Sequence, residues 1–181
     1  LSVLALSLAA AIHAGATPVI NEFMADNGTT VDDPQGHYDD WIEIYNPGPG
    51  TVDLGGMYLT DDLLNPTQWQ FPSGTFLGPD SYLLVWADED ILDTPGLHAN
   101  FKLSSGGEDI ALFSTNGTTL LDSISFGSQT EDVAYGRFPN GDSTWYFMDQ
   151  PSPNAANTTA RSEEVYFSRL GGVMTNSFTL K

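Results

Sequence analysis

The sequence predicts an all-β protein that folds as a two-sheet β-sandwich of about nine short strands. Between residues 17 and 157 the apolar or alternating runs are short, and Gly, Pro, Asn and Asp break them at close intervals, which is typical of all-β domains. No window keeps helical periodicity over the length that a helix needs. Because no helices alternate with the strands, a sandwich is favoured over a parallel α/β sheet, and a small barrel is the alternative.

Nine segments carry the strand pattern, and explicit turn residues separate them. In chain order the predicted strands are residues 19–25, 41–45, 51–54, 57–60, 68–71, 81–87, 109–114, 120–126 and 133–138. Residues 81–87 are apolar nearly throughout, so we expect a central strand that is covered on most of its surface. Asn116-Gly117 favours a tight hairpin between residues 109–114 and 120–126, because this pair readily adopts positive φ angles.

Asp122 is a charged residue on an otherwise apolar strand face. It shares that face with Leu120, Ile124 and Phe126. An unpaired buried charge is costly, so we expect Asp122 to be hydrogen-bonded or to be lifted from the face by a bulge.

Residues 1–16 are predicted to be a signal peptide that is incomplete at its N-terminus. Residues 1–12 form an uncharged Leu- and Ala-rich run, and Ala14-Gly15-Ala16 follows in the small-x-small pattern of a signal-peptidase site. The run is shorter than the roughly 20 apolar residues that span a bilayer, and no later stretch qualifies. We therefore expect cleavage after Ala16, no membrane span, and a secreted or cell-surface protein.

Charge and cysteine content exclude several classes of function. The chain has 24 Asp and Glu residues against 5 Lys and Arg, a formal net charge of -19. Such a surface repels phosphate backbones, so nucleic acid is not an expected partner. The absence of cysteine excludes disulfides and thiolate metal sites.

An ordered set of motifs follows the predicted strands. The motifs are VINEF at 19–23, DWIEIYN at 40–46, DLGGMYLTD at 53–61, WQFP at 69–72, YLLVWA at 82–87, FKLSSGGE at 101–108 and YGR at 135–137. In this order, over residues 18–157, they resemble the lamin-tail domain in its bacterial, secreted form. The chain departs from the family at Pro79-Asp80, where Pro-Gly is common.

The resemblance implies an immunoglobulin-like sandwich that acts as a binding or spacer module, often joined to other domains in exported bacterial proteins. It brings no catalytic residues to transfer. The nuclear role of animal lamins does not follow, because no coiled-coil heptads precede the domain.

The loop from residue 26 to residue 40 is the candidate metal site. It holds five carboxylates, which are Asp26, Asp32, Asp33, Asp39 and Asp40. Calcium takes six to eight oxygen ligands, which clustered carboxylates and carbonyls can supply. The spacing does not match the Asp-x-Asp-x-Asp-Gly loop, and a solvated acidic loop is the alternative. A second acidic cluster, Asp88-Glu89-Asp90 with Asp93, follows the central strand. No motif requires a cofactor, and calcium is the candidate.

No hydrolase signature occurs, neither Gly-x-Ser-x-Gly nor His-Glu-x-x-His. Paired carboxylates cleave glycosides only at a defined separation across a cleft, and short turns offer little cleft. His37 and His98 are expected to be surface or loop residues rather than ligands. The four tryptophans are expected in the core rather than on an exposed sugar-binding platform; they are Trp41, Trp69, Trp86 and Trp145.

The C-terminal residues predict a linker and the truncated start of a second β module. Residues 158–164 form a polar run without apolar periodicity. Residues 165–181 hold two strand-like runs around Gly171-Gly172, and a lone hairpin is marginal in water. This segment is similar to the opening of the module that ends chitobiase-type enzymes, which can lead on to a spore-coat-kinase-like domain. The alternative is an edge strand of the first sandwich.

The expected function is a non-catalytic extracellular accessory domain of a larger secreted, bacterial, multidomain protein. It would bind an unknown protein or glycan at the cell surface, or space the downstream domains of the same chain. The alternatives are an acidic metal-dependent hydrolase and a calcium-binding adhesion domain.

Overall fold

The computed structural model describes residues 17–148 and 150–158, and this part of the chain holds twelve β-strands and no helix. No segment of it is therefore a helix long and apolar enough to cross a membrane. The strands are β1 (Val19–Met24), β2 (Asp40–Asn46), β3 (Val52–Asp53), β4 (Tyr58–Thr60), β5 (Trp69–Gln70), β6 (Phe76–Leu77), β7 (Ser81–Ala87), β8 (His98–Ala99), β9 (Glu108–Phe113), β10 (Leu120–Phe126), β11 (Tyr135–Arg137) and β12 (Trp145–Phe147).

The predicted all-β class is confirmed, and each of the nine predicted segments contains a strand. Sequence patterning missed β6, β8 and β12, which have only two or three residues each. Strands this short show no alternation of their own. The strands β3 and β5 are equally short, but each lies within a predicted segment of four residues.

Two main sheets form the sandwich. The larger sheet has six strands in the order β12-β11-β1-β2-β7-β8, and the smaller has four in the order β10-β9-β4-β5. A two-stranded ribbon joins β3 to β6. The pairs within the main sheets are antiparallel except β7 with β8, which run parallel. As predicted, β7 is an internal strand, although its neighbour β8 pairs only with Trp86 and Ala87. It is less covered than expected, because residues 81–84 are only partly buried.

The main core lies between the two sheets. Ile42 and Ile44 alternate on β2 and are fully buried in the same cluster as Leu59 and Ile110 of the smaller sheet. Phe23 of β1 packs on Phe126 of β10 with ring centroids 4.4 Å apart. Burying a side chain of this kind contributes about 1.5–3 kcal/mol, so this layer is the main source of stability.

The outer face of the six-stranded sheet is also covered. Met24, Trp41 and Trp86 form a second buried cluster there, which Met148 completes. As a result β2 is buried on both faces from residue 41 to residue 46.

Asp122 is both hydrogen-bonded and displaced by a bulge, which are the two alternatives that the sequence predicted. The register of β10 shifts between Leu120 and Asp122, which is the bulge. The Asp122 carboxylate accepts two hydrogen bonds from Arg137 Nη2, at 2.8 and 2.9 Å, and one from the Ile20 amide at 2.8 Å. The charge is therefore paired, and Leu120 turns outward and is exposed.

The hairpin between β9 and β10 is confirmed, but its turn is wider than predicted. Asn116 Oδ1 accepts hydrogen bonds from the amides of Thr118 and Thr119, at 3.0 and 2.9 Å. The Ser114 amide closes the loop by donating to the Thr119 carbonyl. An Asn side chain that bonds to its own backbone stabilises such a loop in place of a two-residue turn.

Candidate functional site

The predicted acidic loop lies at one end of the sandwich, where β1 ends and β2 begins. We call this the acidic end; β7 also finishes there, since Ala87 pairs with Asp40. Burial, helped by the charges of Asp26 and Asp39 and opposed by the hydrogen bond from the Asn27 amide, raises the pKa of Asp40 to about 6. Asp32 is exposed.

Asp33 is the deeply buried member of that loop. Its side chain is 1% exposed, and its Oδ2 atom lies 4.0 Å from Nδ1 of His37, whose side chain is 64% exposed. Asp33 Oδ1 accepts hydrogen bonds from the amides of Gln35 and His37, at 2.9 and 2.7 Å. Burial raises the pKa of Asp39, and the charges of Asp88 and Asp33 add to that effect.

The structure brings Asp33 together with Asp88, from the second acidic cluster, and with His98. One ligand atom from each lies within 4.8 Å of the other two, and all three residues are buried. The expectation that His98 is a surface or loop residue is wrong, because it lies in β8 with its side chain 1% exposed. A two-residue strand gave no pattern that could have revealed this. His37 is exposed, as expected.

The five predicted calcium ligands are not all found in one group of side chains that could share an ion. Among the described residues, the groups that could share an ion are Asp33–His37–Asp39 and Asp33–Asp88–His98. Calcium binding by the five carboxylates stays a prediction.

Sequence reasoning missed a pair of buried carboxylates, Glu22 and Glu43. They are partners across β1 and β2, and both are fully buried. The Ser152 amide and hydroxyl donate to Glu22, the Asn154 amide donates to Glu43 Oε2 at 2.7 Å, and Asn21 Nδ2 donates to Glu43 Oε1 at 3.0 Å.

These bonds fasten the segment 150–158 onto the outer face of the larger sheet. Burial raises the pKa of Glu22 to about 7 and that of Glu43 to about 8, where the charge of Glu22 adds to the effect. The two motifs VINEF and DWIEIYN contain these residues, and alternation with Ile42 and Ile44 already places Glu43 on the other strand face. The covering segment was not visible in the sequence.

Three of the four tryptophans fill the interior, as expected. Trp41, Trp69 and Trp86 are 0%, 8% and 5% exposed. Trp145 is half-buried, and the Arg137 guanidinium lies 4.7 Å from its ring centroid.

Two loops at the acidic end expose aliphatic side chains. We call them the leucine loops: residues 61–65 carry Leu63 and Leu64, and residues 88–93 carry Ile91 and Leu92. Leu64 and Leu92 are 93% and 89% exposed. Hydrogen bonds link the chain next to the two loops: the Glu89 amide donates to the Ala99 carbonyl, and Asn100 Nδ2 donates to the Gln68 carbonyl at 2.8 Å.

The fold and these sites define an immunoglobulin-like β-sandwich in which the carboxylates of Glu22 and Glu43 are buried rather than open to a cleft. A family model, the Lamin Tail Domain, matches residues 12–128. This is more than half of the chain, and the chain belongs to the lamin tail domain family. Domains of this family are immunoglobulin-like and generally non-catalytic. No curated protein and no solved structure matches the chain.

The predicted signal peptide at 1–16 and the predicted second module at 165–181 lie outside the described residues, as does the linker after residue 158. The likeness to the chitobiase-type module stays a prediction.

Proposed function

We propose that this chain is an extracellular, non-catalytic accessory module of a larger exported protein, and that it binds a protein partner through its acidic end. The observation that carries this proposal is the pair of leucine loops. Contiguous apolar patches within a polar surface mark interaction sites, and we propose that the side chains of these two loops form such a patch. The net charge of -19 favours a partner that carries basic groups around an apolar pocket, because binding surfaces are electrostatically complementary.

A protein partner suits this surface better than a glycan does. Sugars stack on exposed aromatic rings, whereas Trp41, Trp69 and Trp86 are buried. Leu64 and Leu92 offer branched aliphatic groups that fit apolar pockets of proteins.

The buried carboxylates support a module over the rival metal-dependent hydrolase. Glu22 and Glu43 bond to Ser152 and Asn154 and have no exposed surface, so they hold the fold together. General acid–base chemistry needs carboxylates that reach substrate.

Export is supported by the pattern of residues 1–16, and the larger multidomain protein by the linker pattern of residues 158–164. The family's occurrence in exported bacterial proteins agrees with both.

The test begins with expression of the chain with its leader, which should yield exported protein starting at Thr17. This protein should show no turnover on glycan, peptide, phosphoester or nucleic-acid panels. Photo-cross-linking of this protein to the cells that produce it should yield an adduct with a partner protein. The double substitution Leu64→Asp, Leu92→Asp should abolish the adduct, and high salt should reduce its yield. Phe76→Asp, at a residue that is 63% exposed away from the leucine loops, adds the same type of charge and should leave the adduct unchanged.

Three results would contradict the proposal. Reproducible turnover that Asp39→Asn or Asp40→Asn removes would make the chain an enzyme. An adduct that survives the double leucine substitution would place the partner elsewhere. Binding to purified glycans that the leucine variants retain would favour a sugar ligand.

A further inference from the structure

We propose that Asp33 and His98, with Asp88 as the residue that positions the imidazole, bind one divalent transition-metal ion of the Zn²⁺ class. This site is distinct from the predicted five-carboxylate calcium site. It uses one member of that loop, one member of the second acidic cluster, and a histidine.

The first argument is a concentration of unpartnered buried atoms. Among the described residues, five buried side-chain atoms lack a hydrogen-bond partner, and three of them are Asp33 Oδ2, Gln35 Oε1 and His98 Nε2. The side chains of Asp33 and His98 are each only 1% exposed. Buried polar groups are nearly always satisfied, so these three open atoms, two in the loop before β2 and one on β8, indicate a missing partner.

The second argument is that all three open atoms are acceptors. Asp88 Oδ2 makes a short contact with His98 Nδ1. A carboxylate only accepts, so Nδ1 carries a proton, and in the neutral imidazole, the form that binds metals, Nε2 then presents its lone pair. Asp33 Oδ2 and Gln35 Oε1 are acceptors as well, and a cation satisfies such a set. A carboxylate that holds the far nitrogen of an imidazole is the usual support of a metal-binding histidine.

The third argument is space around the imidazole nitrogen. A Cβ atom at position 96 would lie 2.6 Å from His98 Nε2, and Gly96 has a φ of +129°, so glycine keeps this position open. A surface groove of about 640 Å³ includes Asp33 and Gly96 in its wall and offers a route for the ion.

The three side chains form a compact group. One carboxylate oxygen from Asp33, one from Asp88 and one ring nitrogen of His98 lie within 4.8 Å of one another. Bonds of about 2.0–2.2 Å put the ligands of Zn²⁺ roughly 3–3.5 Å apart, so Asp33 Oδ2 and His98 Nε2 must take up that separation when the ion binds. Imidazole nitrogen suits zinc and its neighbours, whereas calcium is bound by oxygen alone.

The test uses the tag-free full chain, which has no cysteine and only two histidines after residue 16. Titration with Zn²⁺ should give one ion per chain. His98→Gln and Asp33→Asn should abolish that stoichiometric binding, and Asp88→Asn should weaken it about 10- to 100-fold. Asp32→Asn is a matched control in the same loop, and its affinity should equal that of the unsubstituted chain. His37→Gln tests the neighbouring group Asp33–His37–Asp39, and the proposal fails if that substitution abolishes binding while His98→Gln does not.

A second measurement does not depend on the folding of the variants. In the unsubstituted chain, ¹⁵N spectra of the imidazoles should show Zn²⁺ shifting Nε2 of His98 while Nδ1 stays protonated. The proposal fails if these resonances do not move, which would mean that water alone fills the site. It also fails if Asp32→Asn weakens binding as much as Asp33→Asn, or if Ca²⁺ binds one-to-one and His98→Gln leaves that binding intact.

Discussion

At the scale of the residue, Glu22 and Glu43 show how the sandwich uses its motif carboxylates. The folded state raises their pKa values from 4.5 to about 7 and about 8, in both cases chiefly through burial. Between pH 4.5 and pH 8 the folded protein therefore binds more protons than the unfolded chain. The stability that these two groups contribute is fully present below the unfolded pKa and is lost as pH rises through this window. Tyr82, next to Glu43, has a pKa of about 12 and does not titrate in the same range.

We expect Glu43→Gln to flatten this dependence. The variant cannot ionise at position 43, so the free energy of unfolding should fall less between pH 6 and pH 8.5, by an amount on the order of a few kcal/mol. Urea denaturation at a series of pH values measures it. At pH 6 the variant is expected to be less stable, because its amide nitrogen can face the Asn154 amide.

The control for this experiment is Glu131→Gln, at an exposed position. It should keep the pH slope of the unsubstituted chain. An unaltered slope in Glu43→Gln would show that position 43 does not titrate in this range.

At the scale of the element, Arg137 joins strands of the two sheets. It lies in β11, and its Nη2 bonds to both oxygens of Asp122 in β10. Its Nε atom donates to the Ile20 carbonyl in β1 at 2.7 Å, and its guanidinium lies over Trp145 of β12. Three strands of the larger sheet are thus tied to the edge of the smaller one.

We expect Arg137→Met to destabilise the fold by about 3–5 kcal/mol, because it leaves the mostly buried Asp122 carboxylate without its partner. Adding Asp122→Asn should recover part of this loss, so that a double-mutant cycle gives a coupling energy of about 1–3 kcal/mol. Urea denaturation at pH 7 measures the free energy of unfolding of the unsubstituted chain, the two single variants and the double variant.

The matched control removes a different positive charge. Lys102 is exposed, and Lys102→Met should change stability by less than about 0.5 kcal/mol. If the effects of substituting Arg137 and Asp122 on the free energy of unfolding are additive, the ion pair between them contributes no coupling energy.

At the scale of the whole molecule, the sandwich extends past the matched part of the family. The match ends at residue 128, whereas β11 pairs with β1, and β12 with β11, in the larger sheet. The segment 150–158 then covers Glu22 and Glu43 on the outer face.

We therefore expect a fragment of residues 17–158 to fold and a fragment of residues 17–128 to remain unfolded. The shorter fragment exposes the edge of β1 and loses the Arg137 partner of Asp122. Dispersed amide resonances and cooperative urea denaturation distinguish the two.

An intermediate fragment of residues 17–148 separates the two contributions. It retains β11 and β12 but lacks the donors of Ser152 and Asn154, so it should fold with a lower urea midpoint than 17–158. A folded 17–128 fragment would show that the matched residues are sufficient alone.

The sequence by itself determined the all-β class, the approximate positions of nine of the twelve described strands, and the expectation that Asp122 is hydrogen-bonded or displaced by a bulge. These follow from alternation and turn chemistry, which are local and repeat along the chain. The ordered motifs were sufficient to predict the lamin-tail family. Each of these features depends on residues that are near one another in the sequence.

Only the tertiary structure decided which polar residues are buried. His98 lies beside Asp33 and Asp88 because β8 pairs with the end of β7. The sequence around residues 98–99 showed no strand pattern that predicts this pairing. Glu22 and Glu43 are covered by a segment more than 100 residues further along the chain. Burial and pKa depend on what packs above a residue, and in this fold the covering groups come from distant parts of the chain, where periodicity carries no information.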